Sequence, residues 1–472
     1  MIYMINKKLS ILLLSILTSN LYSYAQNLIT YPAPAGVINS HHNDDYTVKV
    51  RQAGGEWQDL FEYNVKVDLD KPEDASMVYF DFSGTVEVAV RKNNGSFREV
   101  KVRPGSYNIP VKIIGKTAFF TLNNPQKVSV EFDGDVLHNL HVFGNPLETN
   151  KPDPNDPDVI YFGPGVHQPQ DLPGNEFNIP SGKTVYIAGG AVVRAKLVCD
   201  RVENVKIMGR GILDQPMRGV EIRHSNNVEV EGIIVINPKH YTVYAGGSKN
   251  ITIRNIKSFS ANPWSDGIDL MSCSDVIIDD VFLRTSDDCI AIYGHRWDFY
   301  GDVRKYKITN STLWADVAHP IQIGIHGNTD TAGETIEDIV FDNIDILEQD
   351  EDDPNYQGCM SISAGDFNLV RNITFKNIRV DDFQEGQLLN LRVVNNAKYN
   401  TGPGRGIENI SFENISYNGS NLSSSLISGL DAAHGVKNIS FKNLKINNKL
   451  VLDSGAANIK IGGHVENVVF TR

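Results

Sequence analysis

Three aspartates in the middle of the chain have the types and the spacing that acid/base chemistry requires. Asp266 precedes the short apolar alternation Gly267–Leu270, and the pair Asp287 and Asp288 precedes a second one, Cys289–Ile292. The separation from Asp266 to Asp287 is 287 − 266 = 21 residues, close to the step at which neighbouring segments repeat. Carboxylates one repeat apart in a coiled chain become neighbours, and close carboxylates are what cleavage of a glycosidic bond requires. The sequence therefore predicts an active site of clustered aspartates.

The chain around these aspartates repeats with a nearly constant step. An asparagine or aspartate followed by a hydrophobic alternation recurs at Asn204, Asn227, Asn250 and Asp275, with steps of 227 − 204 = 23, 250 − 227 = 23 and 275 − 250 = 25 residues. This period is typical of a β-solenoid, whose coils stack about 4.8 Å apart. The asparagines are expected to form a structural ladder at one turn. Later members of the series are Asp338, Asn372, Asn409, Asn438 and Asn467.

The sequence before residue 159 has a different pattern. Residues 26–147 alternate in short strands such as Val86–Val90, with Gly, Pro and Asn between them, which predicts an antiparallel β-sandwich. Residues 148–158 are polar and proline-spaced, as expected of a linker. Residues 159–472 are predicted to form a right-handed parallel β-helix that carries the catalytic site. The predicted fold class is therefore all-β.

The first 25 residues have the features of a secretory signal peptide. Lys7 and Lys8 precede the apolar run Leu9–Leu17, and small residues at Ser23 and Ala25 mark a cleavage site. The run is too short to span a bilayer comfortably, and no later stretch resembles a membrane helix. We therefore expect the mature protein to begin at residue 26 and to be secreted or periplasmic.

The composition narrows the choice of partners and cofactors. The formal net charge of −13 over 472 residues argues against nucleic acid. Cys199, Cys273, Cys289 and Cys359 are far apart in apolar contexts, so free buried thiols are expected, a disulfide being the alternative. Their spacing gives no zinc pattern. We predict no cofactor, no metal and no membrane span, and expect a monomer that acts on a polysaccharide or oligosaccharide.

Strand periodicity predicts which way the site residues face. Because Ile268 and Leu270 should point into the core, Asp269 is expected to face solvent on the same sheet. Ala291, between two isoleucines of the next coil, should face outward as well. Adjacent carboxylates repel each other, so one member of the aspartate pair is expected to keep its proton above its ordinary pKa.

Residues 223–327 resemble the polygalacturonase family, glycoside hydrolase family 28. That family carries the motifs Asn-Thr-Asp-Gly, Asp-Asp and Gly-His-Gly inside a right-handed parallel β-helix. In this chain Trp264–Gly267 matches the first motif only in its Asp-Gly, Ser286–Cys289 matches the second, and Ala318–Gly324 resembles the third.

The resemblance implies a role for each motif residue. Asp287 would be the general acid, Asp266 and Asp288 would hold and activate the attacking water, and His319 would support the site. The family also implies inversion at the anomeric carbon. The physical determinant of that outcome is the separation of the carboxylates, which the sequence does not contain.

One departure from the family concerns the substrate. The family reads the galacturonate carboxylate with an Arg-Ile-Lys motif one coil beyond the histidine, and arginine is the natural partner of a carboxylate. The corresponding stretch here, Gly358–Ser363, has no basic residue. Lys239, Arg296, Arg304 and Arg392 are the cations that could replace it, and each could equally be an ordinary solvated charge.

Other side chains near the aspartates are candidates for binding sugar. Trp264 lies beside Asp266, and an aromatic ring can stack on the apolar face of a sugar. Tyr293, Trp297 and Tyr300 are further aromatic candidates, whereas Trp314 is as readily packed within a coil. The predicted substrate-binding residues are Trp264, Asp269, Lys239, His240, His295, Arg296 and Gln322.

The layout of a β-sandwich joined to a β-helix is also similar to the dextranase and isopullulanase family, glycoside hydrolase family 49. Segments 160–167 and 184–193 resemble the first coils of that family, whose catalytic aspartates are likewise one plus an adjacent pair. A pectic substrate is therefore expected first, and a neutral α-glucan or α-galactoside second. A polysaccharide lyase and a non-catalytic carbohydrate-binding β-helix remain as alternatives.

Overall fold

The computed structural model describes residues 28–37, 39–168 and 175–472. The predicted signal peptide, residues 1–25, lies outside the described residues. Within the described residues the regular structure is almost entirely β, with two short 3-10 helices, Asn39–His41 and Gly105–Tyr107. No helix among these residues is long and apolar enough to cross a membrane. The predicted all-β fold class is confirmed.

Residues 28–146 form two sheets that pack face to face. The strands of the first sheet are Leu28–Thr30, Tyr63–Val67, Glu73–Phe82, Val100–Arg103, Gln126–Phe132 and Leu140–Pro146. The strands of the second sheet are Tyr46–Gln52, Gln58–Asp59, Val86–Lys92, Lys112–Ile114 and Thr117–Leu122. Alternate residues of both sheets meet in one apolar core, the arrangement expected of a β-sandwich.

The chain from residue 159 coils into a parallel β-helix. One long sheet collects two edges of every coil; its strands are Val159–Phe162, Gly165–His167, Thr184–Ile187, Ala191–Val193, Glu203–Gly209, Ile212–Asp214, Asn226–Glu231, Ile234–Ile236, Lys249–Arg254, Lys257–Phe259, Ser274–Asp279, Phe282–Thr285, Val303–Ala315, Thr335–Glu348, Leu369–Asp381, Gly406–Asn418, Val436–Lys442, Lys445–Ile446, Lys449–Leu450 and Val465–Thr471. The interior holds a single apolar core of aliphatic and aromatic side chains.

The remaining edge of each coil belongs to an eleven-stranded parallel sheet, called here the site sheet. Its strands are Glu176–Asn178, Lys196–Asp200, Val220–Arg223, Val243–Gly246, Ile268–Met271, Ile290–Tyr293, Ile321–Gly324, Met360–Ala364, Leu389–Val393, Ser425–Ser428 and Ile459–Ile461. Two small two-stranded pairings lie outside these sheets: His295–Arg296 with Phe299–Tyr300, and Gly386–Gln387 with Leu422–Ser423.

Asparagine ladders hold the coils in register. Asn227 Nδ2 donates to Asn204 Oδ1 at 2.6 Å in the preceding coil, and Asn467 Nδ2 donates to Asn438 Oδ1 at 2.9 Å near the C-terminus. These residues have positive φ, between 56° and 59°, a conformation that asparagine adopts more readily than most residues. The predicted ladder is therefore present, and its asparagines serve the turn.

The coils also stack through matched core side chains. Five phenylalanines lie in successive coils with ring centroids 4.6–5.2 Å apart and nearly parallel planes: Phe341, Phe375, Phe412, Phe441 and Phe470. All four cysteines are buried and free, which confirms the prediction of unpaired core thiols.

The first sheet of the sandwich packs its second face against the β-helix. Met77 and Phe143 of the sandwich join Ile234 and Phe282 of the β-helix in one apolar cluster. The strand Glu73–Phe82 is accordingly buried along nearly its whole length. The first sheet is thus covered on both faces, by the second sheet and by the β-helix.

A buried arginine crosses this junction. Both Arg284 and Asp316 belong to the β-helix, and Arg284 makes two bonds of 2.8 and 2.9 Å to the Asp316 carboxylate. Arg284 also donates to Asn139 Oδ1 and to the Val136 carbonyl of the sandwich, and its guanidinium lies 4.2 Å from the centroid of Trp314. Trp314 is fully buried here, packed within the structure rather than free to stack on a sugar.

We predict that Arg284→Ala lowers the free energy of unfolding by about 3–5 kcal/mol, because the substitution leaves the Asp316 charge buried and unpaired. Arg371, which pairs with Glu337 on the surface, is the matched control, and Arg371→Ala should leave the free energy of unfolding almost unchanged. Urea denaturation followed by tryptophan fluorescence compares the two. Equal effects of the two substitutions would contradict this account of the junction.

Candidate active site

The register of the site sheet places three of the predicted residues in one column. Ile268, Ile290 and Ile321 pair across neighbouring strands. Two residues earlier in each strand the positions are 268 − 2 = 266, 290 − 2 = 288 and 321 − 2 = 319. Asp266, Asp288 and His319 therefore occupy equivalent places in three successive coils, one strand spacing of about 4.8 Å apart. The structural counterpart of Asp266 is Asp288, and Asp287 lies beside this column.

Backbone hydrogen bonds fix these turns to each other. Gly267 N–H donates to the Asp288 carbonyl and Cys289 N–H donates to the His319 carbonyl, each at 2.8 Å. A Cβ at position 267 would lie 2.3 Å from the Cys289 carbonyl oxygen, so only glycine permits this approach. One oxygen each of Asp266, Asp287 and Asp288 lies within 4.8 Å of the others. The Asp-Gly of the motif is thus required for the carboxylates to converge.

Asp288 and His319 form a buried pair. His319 is completely buried, and its Nδ1 lies 2.7 Å from Asp288 Oδ1. Its Nε2 contacts the carbonyl oxygen of Tyr356. Because both ring nitrogens face acceptors, the hydrogen bonds are satisfied only when both carry a proton. Burial alone would lower the pKa of His319, but the bond and charge of Asp288 raise it above its ordinary value.

The remaining carboxylates of the cluster favour their protonated forms. Burial, followed by the charge of Asp288, raises the pKa of Asp287 to about 7. Burial also raises the pKa of Asp266 well above its usual range, and the neighbouring Asp269 adds to the effect. Close buried carboxylates cannot all ionise. The cluster therefore combines a carboxylate paired with an imidazolium and neighbours that hold protons.

Asp269 differs from its predicted environment. Its side chain lies on the outer face of the site sheet, as the alternation requires, yet its exposed fraction is 0% rather than that of a solvent-facing residue. Ala291 beside it is equally buried. The reason is that Tyr241, Tyr293 and Ile325 form an apolar cluster with Ala291 on this face, and Tyr356 and Tyr399 pack against that cluster. The expectation of solvent exposure was wrong for both residues.

Burial and the charge of Asp288 raise the pKa of Asp269 well above its ordinary value, and Arg296 partly offsets them. Arg296 is half-buried, and its guanidinium lies 5.9 Å from the ring centroid of Tyr293. Burial lowers the pKa of this arginine, but Tyr241, Tyr293 and Asp269 together raise it. Of the predicted basic candidates, Arg296 is the one whose charge acts on the aspartate cluster.

The far side of the cluster is closed by a tyrosine. Tyr356 stacks on Tyr399 with ring centroids 5.0 Å apart, and its hydroxyl accepts a 2.8 Å bond from Gln322 Nε2. The tyrosine also lies edge-on against His319 at 4.5 Å. Gln322 is therefore fully buried beside the site, oriented by a residue that the sequence analysis did not single out.

The strand Met360–Ala364, one coil beyond His319, has serines on its outer face. Ser361 pairs with Gln322, and Ser363 pairs with Gly324, in the outward-facing positions of Met360–Ala364. Arg392 follows one coil later and donates to the Asn355 carbonyl. Arg304 lies on the long sheet and pairs with Asp302. Arg304 is thus outside the site sheet.

Four other predicted residues lie at the margins. Trp264 is 65% exposed beside Asp266 and has positive φ. His295 stacks on Tyr300 at 4.3 Å. Burial lowers the pKa of His240 to about 4. Lys239 lines two cavities, of about 470 and 600 Å³, at the junction with the sandwich, and none of the three motif aspartates lines either cavity.

A cavity of about 310 Å³ lies over earlier coils of the β-helix, and none of the three motif aspartates lines it. Its lining includes Arg218, Arg223 and Trp297, and the Arg218 guanidinium lies 5.4 Å from the Trp297 ring centroid. Since Val220 and Val243 pair on the site sheet, Arg218 and Tyr241 extend the column of Asp266 by the same two-residue offset. Counting two residues back from the start of each strand of the site sheet identifies both residues.

Two groups of carboxylates among the described residues could hold a cation: Asp266, Asp287 and Asp288, and a more exposed set of Asp350, Asp352 and Glu385. Carboxylate oxygens are the ligands that Ca²⁺ and Mg²⁺ prefer. In the first group, burial and neighbouring carboxylates raise the pKa of Asp266 and of Asp287, so the same residues can also hold and transfer protons.

The fold and this aspartate cluster define the class, the parallel β-helix glycoside hydrolases. The sequence model of glycosyl hydrolases family 28 matches residues 194–461. That match covers more than half of the chain, and the chain belongs to this family. The enzyme class predicted from the sequence is confirmed at this level.

Curated relatives carry polygalacturonase names. An exopolygalacturonase (clone GBGE184) of Arabidopsis thaliana is 28% identical over 195 residues, which is 35% of this chain and 44% of the relative. A probable endopolygalacturonase D of Emericella nidulans is 24% identical over 241 residues, or 50% of this chain and 40% of the relative. The matched region thus spans less than half the length of these relatives.

Among solved structures, Dex49A from Penicillium minioluteum is similar over 93% of this chain and 97% of its own, with a TM-score of 0.66 and 15% identity. At this identity the likeness concerns the fold alone. It extends over both the sandwich and the β-helix, in agreement with the predicted resemblance to family 49.

We predict that Asp269→Asn raises the free energy of unfolding, and that the gain grows from pH 4.5 to pH 8. The folded aspartate holds its proton where the unfolded one ionises, so wild type loses stability as pH rises toward the raised pKa. The asparagine amide does not ionise, so the variant does not lose stability in this way. Its free energy of unfolding should exceed that of wild type by about 0.5–2 kcal/mol at pH 8. Urea denaturation at both pH values measures it, with the exposed Asp330→Asn as control. A gain in the free energy of unfolding that did not change with pH would contradict the raised pKa of Asp269.

Proposed function

We propose that the protein hydrolyses α-glycosidic bonds of a polysaccharide in the manner of a polygalacturonase, without a metal. The observation that carries the proposal is the aspartate cluster, in which one oxygen each of Asp266, Asp287 and Asp288 lies within 4.8 Å of the others. Within this cluster the protonation states differ as acid/base catalysis requires.

Asp287 is the general acid. Its pKa of about 7 keeps the carboxyl protonated in mildly acidic solution, and it is the most exposed of the three, since Asp266 and Asp288 are only 5% and 4% exposed. Its proton passes to the glycosidic oxygen as the bond to the anomeric carbon breaks. A carboxyl that must reach the leaving oxygen of a polymer has to be accessible, and the partial exposure of Asp287 meets this requirement.

Asp288 is the general base. Its Oδ1 lies 2.7 Å from His319 Nδ1, which holds the carboxylate in place, and it takes the proton of the water whose oxygen attacks the anomeric carbon. Asp266, with its raised pKa, hydrogen-bonds that water and shares a proton with its carboxylate neighbours. His319 acts through Asp288 and does not touch the sugar.

The proposed substrate is an α-linked pectic polymer. The names of the relatives and the position of Arg296 beside the cluster support it. The serines at positions 361 and 363, where the family has bases, favour a neutral α-glucan as the second candidate. Trp264, exposed beside Asp266, is the proposed stacking residue. Export from the cytoplasm and the monomeric state stay predictions from the sequence.

We predict that Asp287→Asn lowers the release of reducing sugar about 10²–10⁴-fold, as expected for loss of a general acid. Wild-type rates should fall as the pH rises through about 7, where Asp287 loses its proton. The assay uses polygalacturonate, dextran, pullulan and galactan, with the exposed Asp156→Asn as control. Ultraviolet-absorbing unsaturated product would instead indicate a lyase, and full activity of Asp287→Asn would contradict the role of this residue.

We predict inversion at the anomeric carbon, on the strength of family membership. The closest carboxylate oxygens lie within 4.8 Å, nearer than the spacing of about 6.5–9.5 Å between carboxyl groups in most inverting enzymes. Proton NMR of the product in the first minutes of hydrolysis identifies the new anomer. Appearance of the β-anomer supports Asp288 as base, whereas the α-anomer would indicate a covalent intermediate and contradict the water-activating role.

A further inference from the structure

The outer face of the second sandwich sheet carries a groove that the catalytic proposal does not use. The first sheet is covered on both faces, whereas in Tyr46–Gln52 and Thr117–Leu122 the residues of the outer face are partly exposed in strict alternation. Cross-strand pairing brings Lys49, Ala89 and Phe119 together in one row. This outer face is the free surface of the N-terminal domain among the described residues.

Two aromatic rings stand in the middle of this face. Trp57 and Phe119 have ring centroids 6.3 Å apart at an angle of 58°, next to the small residue Ala89. The guanidinium of Arg51 lies 4.4 Å from the Trp57 centroid and fixes the indole on one side. Cavities of about 460 and 340 Å³ are both lined by these two rings. The two cavities therefore meet at these rings, and together they are called the groove here.

The charges around the groove are predominantly positive. Lys49 pairs with Asp59 at 3.0 Å, and Arg51 pairs with Glu87. Arg91 and Lys112, in contrast, are exposed at the two ends of the groove and take part in no ion pair with any described residue. Two unpaired cations beside two aromatic rings are unusual on a chain whose net charge is −13.

We propose that this face binds an anionic polysaccharide, a chain of uronic acid units, independently of the catalytic cluster. Aromatic rings pack against the apolar face of a pyranose ring, and arginine and lysine pair with carboxylates spaced along the chain. The groove thus matches both properties of a polyuronate. Its function would be to hold polymer on the sandwich while the β-helix acts elsewhere on the same chain, which raises the effective substrate concentration. The site lies beyond the proposed hydrolysis and does not depend on it.

Binding of polygalacturonate tests the proposal, measured by isothermal titration calorimetry on full-length Asp287→Asn protein so that the polymer stays intact. All variants share this background, so any binding of polymer at the catalytic site contributes equally to each of them. In this background Arg91→Ala/Lys112→Ala should weaken binding about three- to tenfold, as expected for the loss of two exposed charge pairs. Trp57→Ala should weaken it up to about tenfold through loss of stacking. Added salt should weaken polygalacturonate binding by the parent protein more than binding by the double variant.

The matched control is Lys437→Ala/Lys442→Ala, which removes two exposed positive charges from the long sheet of the β-helix. It should bind like the parent, and cleavage of a galacturonate trisaccharide by otherwise wild-type Arg91→Ala/Lys112→Ala should be unchanged. Equal binding by both double variants would overturn the proposal, as would equally tight binding of dextran. Because binding and hydrolysis are measured separately, failure of the catalytic proposal would leave polymer binding intact.

Discussion

The parallel register between successive coils is the constraint on which the rest of this structure depends. Each coil adds one strand to the site sheet, so a residue at a given offset from the strand meets its counterpart one strand spacing away. Asp266, Asp288 and His319 share one such offset. Their proximity is therefore a property of the stacking, and the asparagine ladders that hold neighbouring coils in register also hold the aspartate cluster together.

Burying several carboxylates together lowers the stability of the folded protein, and neighbouring groups offset part of this cost. Burial and mutual repulsion raise the pKa of Asp266, Asp269 and Asp287, which means that the folded protein is less stable where these groups would ionise. His319 offsets part of this cost through its contact of 2.7 Å with Asp288. The sandwich also contacts this region, since Leu69 N–H donates to the Ser286 hydroxyl at 3.0 Å, next to the proposed general acid.

Features that repeat along the chain could be predicted from the sequence, whereas features made by single loops could not. The coil period, the asparagine ladder and the free cysteines all follow from local pattern. The alternation correctly placed Asp269 on the outer face, but its burial depends on loops such as the one carrying Tyr356, which has no periodic counterpart. Arg218 and Tyr241 were missed for another reason: their shared offset becomes visible only once the first inward residue of each strand is known.

The two sheets of the sandwich are buried to different extents, and this asymmetry leaves one face of the domain exposed. The first sheet is buried on both faces, and substitutions there act on the junction with the β-helix through groups such as Arg284. The second sheet shares only its inner face with that core. Its outer residues can change without disturbing either the junction or the aspartate cluster. Trp57 and Phe119 contact each other on this outer face, and Arg51 lies against the indole, so these side chains stabilise the sheet locally and also form the surface on which the proposed polymer binding depends.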